Sequence, residues 1–481
     1  MTDRATRTRP EQPWLDPAAY ARLRSRLEAA LRRARAAGAT VIASGTGRCT
    51  RAEDPSAVIA ATRAPGEPWF ALEQPARDRW ALAALGCVRE LAADGPGRFE
   101  QIGRSWRALA AAAVADPAEG PAGSGLVALG GFAFAHDGGD SPSWSGFAPG
   151  SLIVPELSLA RRGQDCWLTV NVAVSADDTI EDLTVRVPRL LGRLQERALP
   201  LFDPAPAGRY EVTSAMPPAH YEEAVARAVQ RIRAGELEKV VLAREVIVHA
   251  PTEHRADAVL GLLREAFGSC YVFAVGRGDA TFVAASPELL IRREGQRAST
   301  VALAGSTRRS ADPAVDGHLG ERLLQSAKDR EENAIVARRI ARALRPYAVW
   351  VTAAPEPSLV RMPNIQHLGA PIRAQLAHPV GAVELAGALH PTPAVGGEPW
   401  ERAMDVIPAL EGFDRGWYAG PVGWTDATGD GEFCVALRCA LLRGREARAY
   451  AGCGIVRDSD PAAELAESEV KLEAMLPALA G

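Results

Sequence analysis

Glu464, Glu467 and Lys471 stand at positions i, i+3 and i+7 of one short segment. On an α-helix that spacing puts all three within about 60° of one another. Just upstream, Tyr450 to Val456 is a strand-like run ending in Gly452 and Gly454, and Asp458-Ser459-Asp460-Pro461 follows. This is a helix start: an oxygen-bearing side chain precedes a proline at the first helical position, where a missing N–H costs nothing. Two carboxylates and an ammonium beside a glycine turn with exposed N–H groups suit a hard cation and a carboxylate-bearing substrate. A solvated amphipathic helix with helix-spaced ion pairs has the same spacing. Spacing alone does not choose between them.

Four other residues could do chemistry. Lys239 opens a strand that continues Val240-Val241-Leu242-Ala243. An ammonium against apolar neighbours is disfavoured in its charged form, which suits a general base; a strand-edge lysine paired with Glu236 or Glu238 is the plainer alternative. Glu288, between Pro287 and Leu289-Leu290, is a carboxyl in apolar surroundings, where a raised pKa suits a general acid, or else a strand-end cap. Glu332 lies in Lys328-Asp329-Arg330-Glu331-Glu332-Asn333, either a solvated helix face or, with Glu464 and Glu467, an oxygen-only magnesium site. Arg438, in a predicted strand Val435 to Cys439, needs an anionic partner such as a substrate carboxylate. The sequence contains no G-x-S-x-G elbow, no H-E-x-x-H and no histidine cluster.

The elements that must position these groups follow from periodicity and punctuation. Residues 1–13 read as a disordered arm, and a helix follows from Leu15 to Ala37 with Asp16-Pro17 at its start. Short strands are predicted at Thr40–Ser44, Trp69–Leu72 and Leu126–Phe134, where Gly130 and Gly131 suggest close backbone packing and not a phosphate loop. Ser151–Ala160 and Cys166–Val174 read as a hairpin, Leu183–Arg197 as a helix and Pro204–Gly208 as a seam. Further on, helices are expected at His220–Ala234, Ala256–Phe267, Gly320–Leu344 and Met404–Leu410. Strands are expected at Leu237–Val248, Cys270–Val275, Thr281–Ala285, Thr300–Leu303, Tyr418–Trp424 and Glu432–Leu442. Asp426 to Gly431 reads as a hairpin turn, not a calcium loop.

Composition narrows the class. The 481 residues are 47% hydrophobic and 24% charged, enough to bury a large core. A net charge of −4 without a dense basic stripe argues against nucleic-acid binding by bulk charge. Seven scattered cysteines without a C-x-x-C pair fit reduced thiols and give no zinc spacing. No run approaches 18 apolar residues and the polar, arginine-containing N-terminus is no secretory signal, so the expectation is a cytoplasmic protein with no membrane partner.

Taken together, these motifs resemble the chorismate-utilising family: isochorismate synthases, salicylate synthases, anthranilate synthase large subunits and aminodeoxychorismate synthases. The resemblance runs from about Tyr221 to Leu476. It rests on Ser286-Pro287-Glu288, Leu303-Ala304-Gly305-Ser306, Lys328-Asp329-Arg330-x-Glu332, His390-Pro391-Thr392-Pro393, Phe413-Asp414-Arg415, Gly420-Pro421-Val422-Gly423, Gly452-x-Gly454-Ile455 and Glu464-x-x-Glu467-x-x-x-Lys471. It implies an α+β fold like that of anthranilate synthase component I: two large, mainly antiparallel sheets packed together with helices outside. Residues 14–481 would form a single chorismate-binding domain, with the motifs in 214–481 and a more general N-terminal part in 14–208. Lys239 stands where the water-adding branches have lysine and the aminating branches have glutamine. Ala304 stands where the aminodeoxychorismate branch has a lysine, and no amidotransferase domain is fused. The chain therefore resembles an isochorismate synthase first, as the small Ala394 also suggests. A salicylate synthase, which goes on to eliminate pyruvate, comes second, and an aminating synthase with a separate amidotransferase subunit last.

The resemblance implies Mg2+ held by Glu332, Glu464 and Glu467, with Lys239 as base and Glu288 as acid. Lys471, Arg438, Gly452 and Gly454 would orient the carboxylates of chorismate, helped by Gly305 and Ser306. His390 would contact the ring or its hydroxyl, and Ala394, Val395, Tyr418, Leu437 and Tyr450 would line the pocket. It also implies a monomer that passes isochorismate to a downstream enzyme. Glu469 departs from the glycine usual before the final Val-Lys pair. On the helix it lies about 140° from Glu464 and is expected to point away from the site.

Overall fold

The computed structural model describes residues 14–480 apart from 50, 52–53, 118 and 204–207. The expected N-terminal arm and most of the expected seam at Pro204–Gly208 lie outside the described residues.

The described strands form two sheets, one of thirteen strands and one of ten. Pairing is antiparallel throughout except between Val41–Arg48 and Val114–Ala115. Both sheets draw on both halves of the sequence. In the larger, Tyr271–Gly278 pairs with Gly66–Gln74; in the smaller, Pro421–Asp426 pairs with Val127–Phe132. The larger sheet is buried on both faces. Phe273 and Val275 join the core shared with the smaller sheet, whereas Val272 and Ala274 face the core under the outer helices. Burial on both faces is why these strands read as continuous apolar runs instead of alternating ones.

The first helix, Pro17–Ala37, starts where Asp16 Oδ1 accepts Ala19 N–H at 2.7 Å and ends at Gly38 in the left-handed region. Leu23, Leu27, Ala30 and Ala34 form its buried stripe. Gly130 and Gly131 do serve close packing: a Cβ at Gly131 would lie 2.6 Å from Trp417. No helix among the described residues is long and apolar enough to cross a membrane.

Three elements differ most from the sequence expectation. Ser151–Ala160 is not one arm of a hairpin. Gly150–Val154 belongs to the smaller sheet, the chain turns at Pro155, and Leu157–Arg162 pairs with Asp165–Val174 in the larger one. Gly320–Leu344 is not one helix but two, Pro313–Gln325 and Ala327–Leu344. Ser326 separates them and caps the second by accepting from Asp329 N–H. Glu432–Leu442 is likewise two strands, Gly431–Val435 in the smaller sheet and Cys439–Arg443 in the larger. In addition, the strand Ile365–Leu376, which pairs with Arg297–Arg308, has no counterpart in the sequence reading.

A buried ion pair ties these parts together near the site. Arg415 Nη2 donates to Glu411 Oε1 at 2.5 Å and to Val241 O at 2.9 Å, and Nη1 donates to Val395 O at 2.8 Å. Glu411 Oε1 in turn accepts Ala243 N–H at 2.7 Å. The pair staples the strand that carries Lys239 to the pocket wall at Val395. Arg415→Met leaves Glu411 buried and uncompensated, so it should lower unfolding free energy by about 3–5 kcal/mol, measured by denaturant titration.

Candidate active site

The helix carrying the last motif spans Pro461–Leu472, with Asp460 Oδ1 accepting Ala463 N–H at 2.9 Å. It packs on the strand Glu446–Ile455, which pairs antiparallel with Lys239–His249. Gly452 and Gly454 are not in a turn, as the sequence suggested. They lie within this strand, opposite Ala243 and Val241. What they supply is the absence of a side chain. A Cβ at Gly454 would overlap Glu332 Oε1 and come 3.2 Å from Lys239 Nζ; one at Gly452 would lie 2.9 Å from the Tyr418 hydroxyl oxygen.

A cavity of about 100 Å³ opens here. That is several times the ~10–15 Å³ a single water needs, and suits a small molecule rather than a polymer segment. Every site residue expected from the sequence lines it except Lys239 and His390. Lys239 is fully buried immediately behind Gly454, and its Nζ pairs with Glu332 Oε1 at 2.8 Å, not with Glu236 or Glu238. Lys471 Nζ sits 2.9 Å from Glu467 Oε1 and donates to Gly452 O at 2.8 Å. Burial works against its charge, but Cys453 and Glu467 beside it raise the Lys471 ammonium above the ordinary lysine value. Burial and the nearby Glu467 push Glu464 up; burial also acts on Glu467, but Lys471 and Ser306 pull it below the usual range.

Asn333 explains how Glu332 is aimed. Its side-chain amide donates to Ala302 O and Leu368 O at 3.0 Å, pinning the second turn of helix Ala327–Leu344 onto the sheet. Opposite, Gly305 is the extra residue of a bulge: Ala304 faces Leu368, Ser306 faces His367, and Gly305 has φ +79°. That conformation favours glycine, and the bulge re-aims Ser306 so that its Oγ donates to Glu467 Oε1 at 2.8 Å.

Arg438 occupies the corner where the chain passes from one sheet to the other, and not a strand as expected. Its φ is +47°, in the left-handed region, and Ala285 N–H donates to its carbonyl at 3.0 Å. Its Nη2 donates to His367 Nε2 at 2.6 Å, while the buried Nη1 has no hydrogen-bond partner. Burial, then Arg438 and Lys471, hold His367 far below the ordinary histidine range, so it is a neutral acceptor. An orphaned guanidinium donor at the cavity wall needs an anion. Nearby, Ser286 Oγ accepts Glu288 N–H at 3.2 Å and donates to Val435 O at 2.5 Å, fixing the Ser-Pro-Glu junction. Burial pushes the Glu288 carboxyl up to about 8, despite the opposing pull of Lys239 and Arg438.

His390 does not reach the cavity. Its Nε2 lies 2.9 Å from Phe134 O, its ring packs against Phe99 and Phe134, and burial, then Arg98, push its pKa down to about 3. His367 lines the cavity instead. The sequence reading passes over His367 because the strand bearing it was not recognised, and over Lys328 and Asp329, which also line the cavity. Glu469 points away from the site as expected, with its carboxylate 3.7 Å from Arg244 and its side chain largely exposed.

The family model for chorismate binding enzymes matches residues 29–480. The chain belongs to the chorismate-binding enzymes. It is 40% identical over 439 residues to the salicylate biosynthesis isochorismate synthase of Pseudomonas aeruginosa, covering 89% of this chain and 88% of that one. Among solved structures, the menaquinone-specific isochorismate synthase of Escherichia coli matches with a TM-score of 0.75 and 26% identity over 92% of this chain and 94% of that one. Anthranilate synthase component I of Streptococcus pneumoniae matches with a TM-score of 0.65 and 20% identity over 82% of this chain and 92% of that one, a likeness of fold. As a chorismate-binding enzyme, the chain has the two-sheet α+β fold that the resemblance implied.

Proposed function

We propose that this chorismate-binding enzyme is an isochorismate synthase, which adds water at C2 of chorismate and releases the C4 hydroxyl. The observation that carries the reading is one small cavity with a protonatable carboxyl, Glu288, on its wall and a buried lysine, Lys239, behind its glycine floor. Lys239 takes the proton of the attacking water, and Glu288 gives a proton to the departing hydroxyl, so that no covalent intermediate is needed. Arg438, through its unpartnered Nη1, and Lys471 hold the two carboxylates, with Ser306 and the Gly452 and Gly454 backbone placing the ring. Tyr418, stacked on Tyr450 with centroids 5.1 Å apart, walls the pocket with Ala394, Val395 and Leu437.

Glu332, Glu464 and Glu467 present carboxylate oxygens from two helices to one cavity, each beside a lysine. Glu464 and Glu467 cluster with the Cys453 thiol within 4.8 Å, while Glu332 stands outside that cluster, and the carboxylates suit a magnesium ion. When bound there, Mg2+ would supply positive charge to neutralise and orient the ring carboxylate. The odd, scattered cysteine set supports a reducing, cytoplasmic setting. Incubation with chorismate and Mg2+, followed by chromatographic product identification, tests the reading. Isochorismate alone is expected; salicylate plus pyruvate, or unchanged chorismate, would overturn it. Because Glu288 must be protonated in the free enzyme, kcat/KM should fall as pH rises through about 8. A pH profile that stays level to pH 9.5 contradicts its role as the acid.

A further inference from the structure

Of the 55 lysine and arginine residues in the chain, only three are lysines: Lys239, Lys328 and Lys471. All three sit at this site, and each faces a different one of the three glutamates. Lys239 is 2.8 Å from Glu332, Lys471 is 2.9 Å from Glu467 and Lys328 is 3.4 Å from Glu464. Lys239 is fully buried, and Lys471 has a second anchor in Gly452 O. Lys328 differs. Its pair is the longest, Glu464 is the only hydrogen-bond partner of its ammonium among the described residues, and its side chain is 45% exposed while that of Glu464 is 4% exposed. Arginine here would grip the carboxylate through two parallel bonds; a lysine is a point charge on a flexible stem that can swing into water.

We propose that Lys328 is a displaceable counter-ion of Glu464: it neutralises this buried carboxylate while no divalent cation is bound, and the competition sets how tightly a cation is held. This rests on the reading of Glu464 as a cation ligand. The test is Mn2+ binding to the full-length protein, followed by the electron paramagnetic resonance signal of free Mn2+, for wild type, Lys328→Met, Lys328→Arg and Glu464→Gln. Lys328→Met should bind Mn2+ about fivefold more tightly, the size of a half-exposed ion pair. Its melting temperature without metal should fall and be restored by Mn2+. Lys328→Arg should bind no more tightly than wild type. A gain in affinity cannot come from misfolding. Unchanged or weaker binding by Lys328→Met, alongside measurable binding by wild type and loss in Glu464→Gln, overturns the proposal alone. Absence of Mn2+ binding by wild type overturns the cation-site reading, and the proposal with it.

Discussion

Lys239→Ala and Glu288→Gln should each lower kcat for isochorismate formation by about 10²–10⁴-fold, the usual contribution of a positioned acid or base. Glu288→Gln is the cleaner of the two. Glutamine keeps the shape of the side chain and its place between Pro287 and Leu289, but it has no proton to deliver to a leaving hydroxyl. Burial holds the native carboxyl at about 8, so at neutral pH it is poised to donate, and the substitution removes that capacity without adding charge to the cavity. Lys239→Ala removes a fully buried Nζ that stands 2.8 Å from Glu332, so it also frees a carboxylate. Chorismate affinity and circular dichroism should be measured beside turnover to separate chemistry from folding. Near-wild-type turnover by either variant would remove its assignment.

Gly454→Ala should abolish most activity while leaving the fold intact, with a loss of about 10²-fold or more, as expected when reacting groups are misplaced by about 1 Å. Gly454 sits in a paired strand with ordinary extended geometry, so alanine meets no backbone strain there. Its Cβ, however, would overlap Glu332 Oε1 and stand 2.9 Å from Lys239 Cε. Both obstructing atoms lie toward the ends of flexible side chains, so the protein can give way by moving them. What moves is the proposed base and a proposed cation ligand. A steady-state assay with thermal melting separates the outcomes: activity lost with melting temperature kept is expected, whereas retained activity would show that Lys239 works from another rotamer.

Much of the site was readable along the chain because its chemistry is written in local motifs. Asp460-Pro461 announces the helix of the last motif, and its period places Glu464, Glu467 and Lys471 on one face, as found. Ser286-Pro287-Glu288 marks a strand junction, and the junction is real. What failed did so where one apolar run serves two sheets. Glu432–Leu442 has the composition of a single strand, and nothing local shows that the chain crosses between sheets at residues 436–438. The crossing puts Arg438 in the left-handed region and directs it at the cavity, and only packing of both sheets demands that corner. Ser151–Ala160 failed for the same reason, although Pro155 offered a hint.

The sequence pointed to the wrong histidine at the cavity for a related cause. His390 stands in a conspicuous proline-braced turn, but Phe99 and Phe134 enclose its ring. His367 lies in an unremarkable strand, yet faces Ser306 across a bulge that only pairing with Arg297–Arg308 creates. The sequence by itself determined the family, and it singled out the residues proposed here as acid, base and three carboxylate ligands, because residue type and short-range spacing encode them. The tertiary structure alone decided which polar groups meet. Lys239 pairs with Glu332 across 93 residues, Lys328 with Glu464 across 136, and Arg438 with His367 across 71. Contacts at such separations arise from sheet topology, which no local period records.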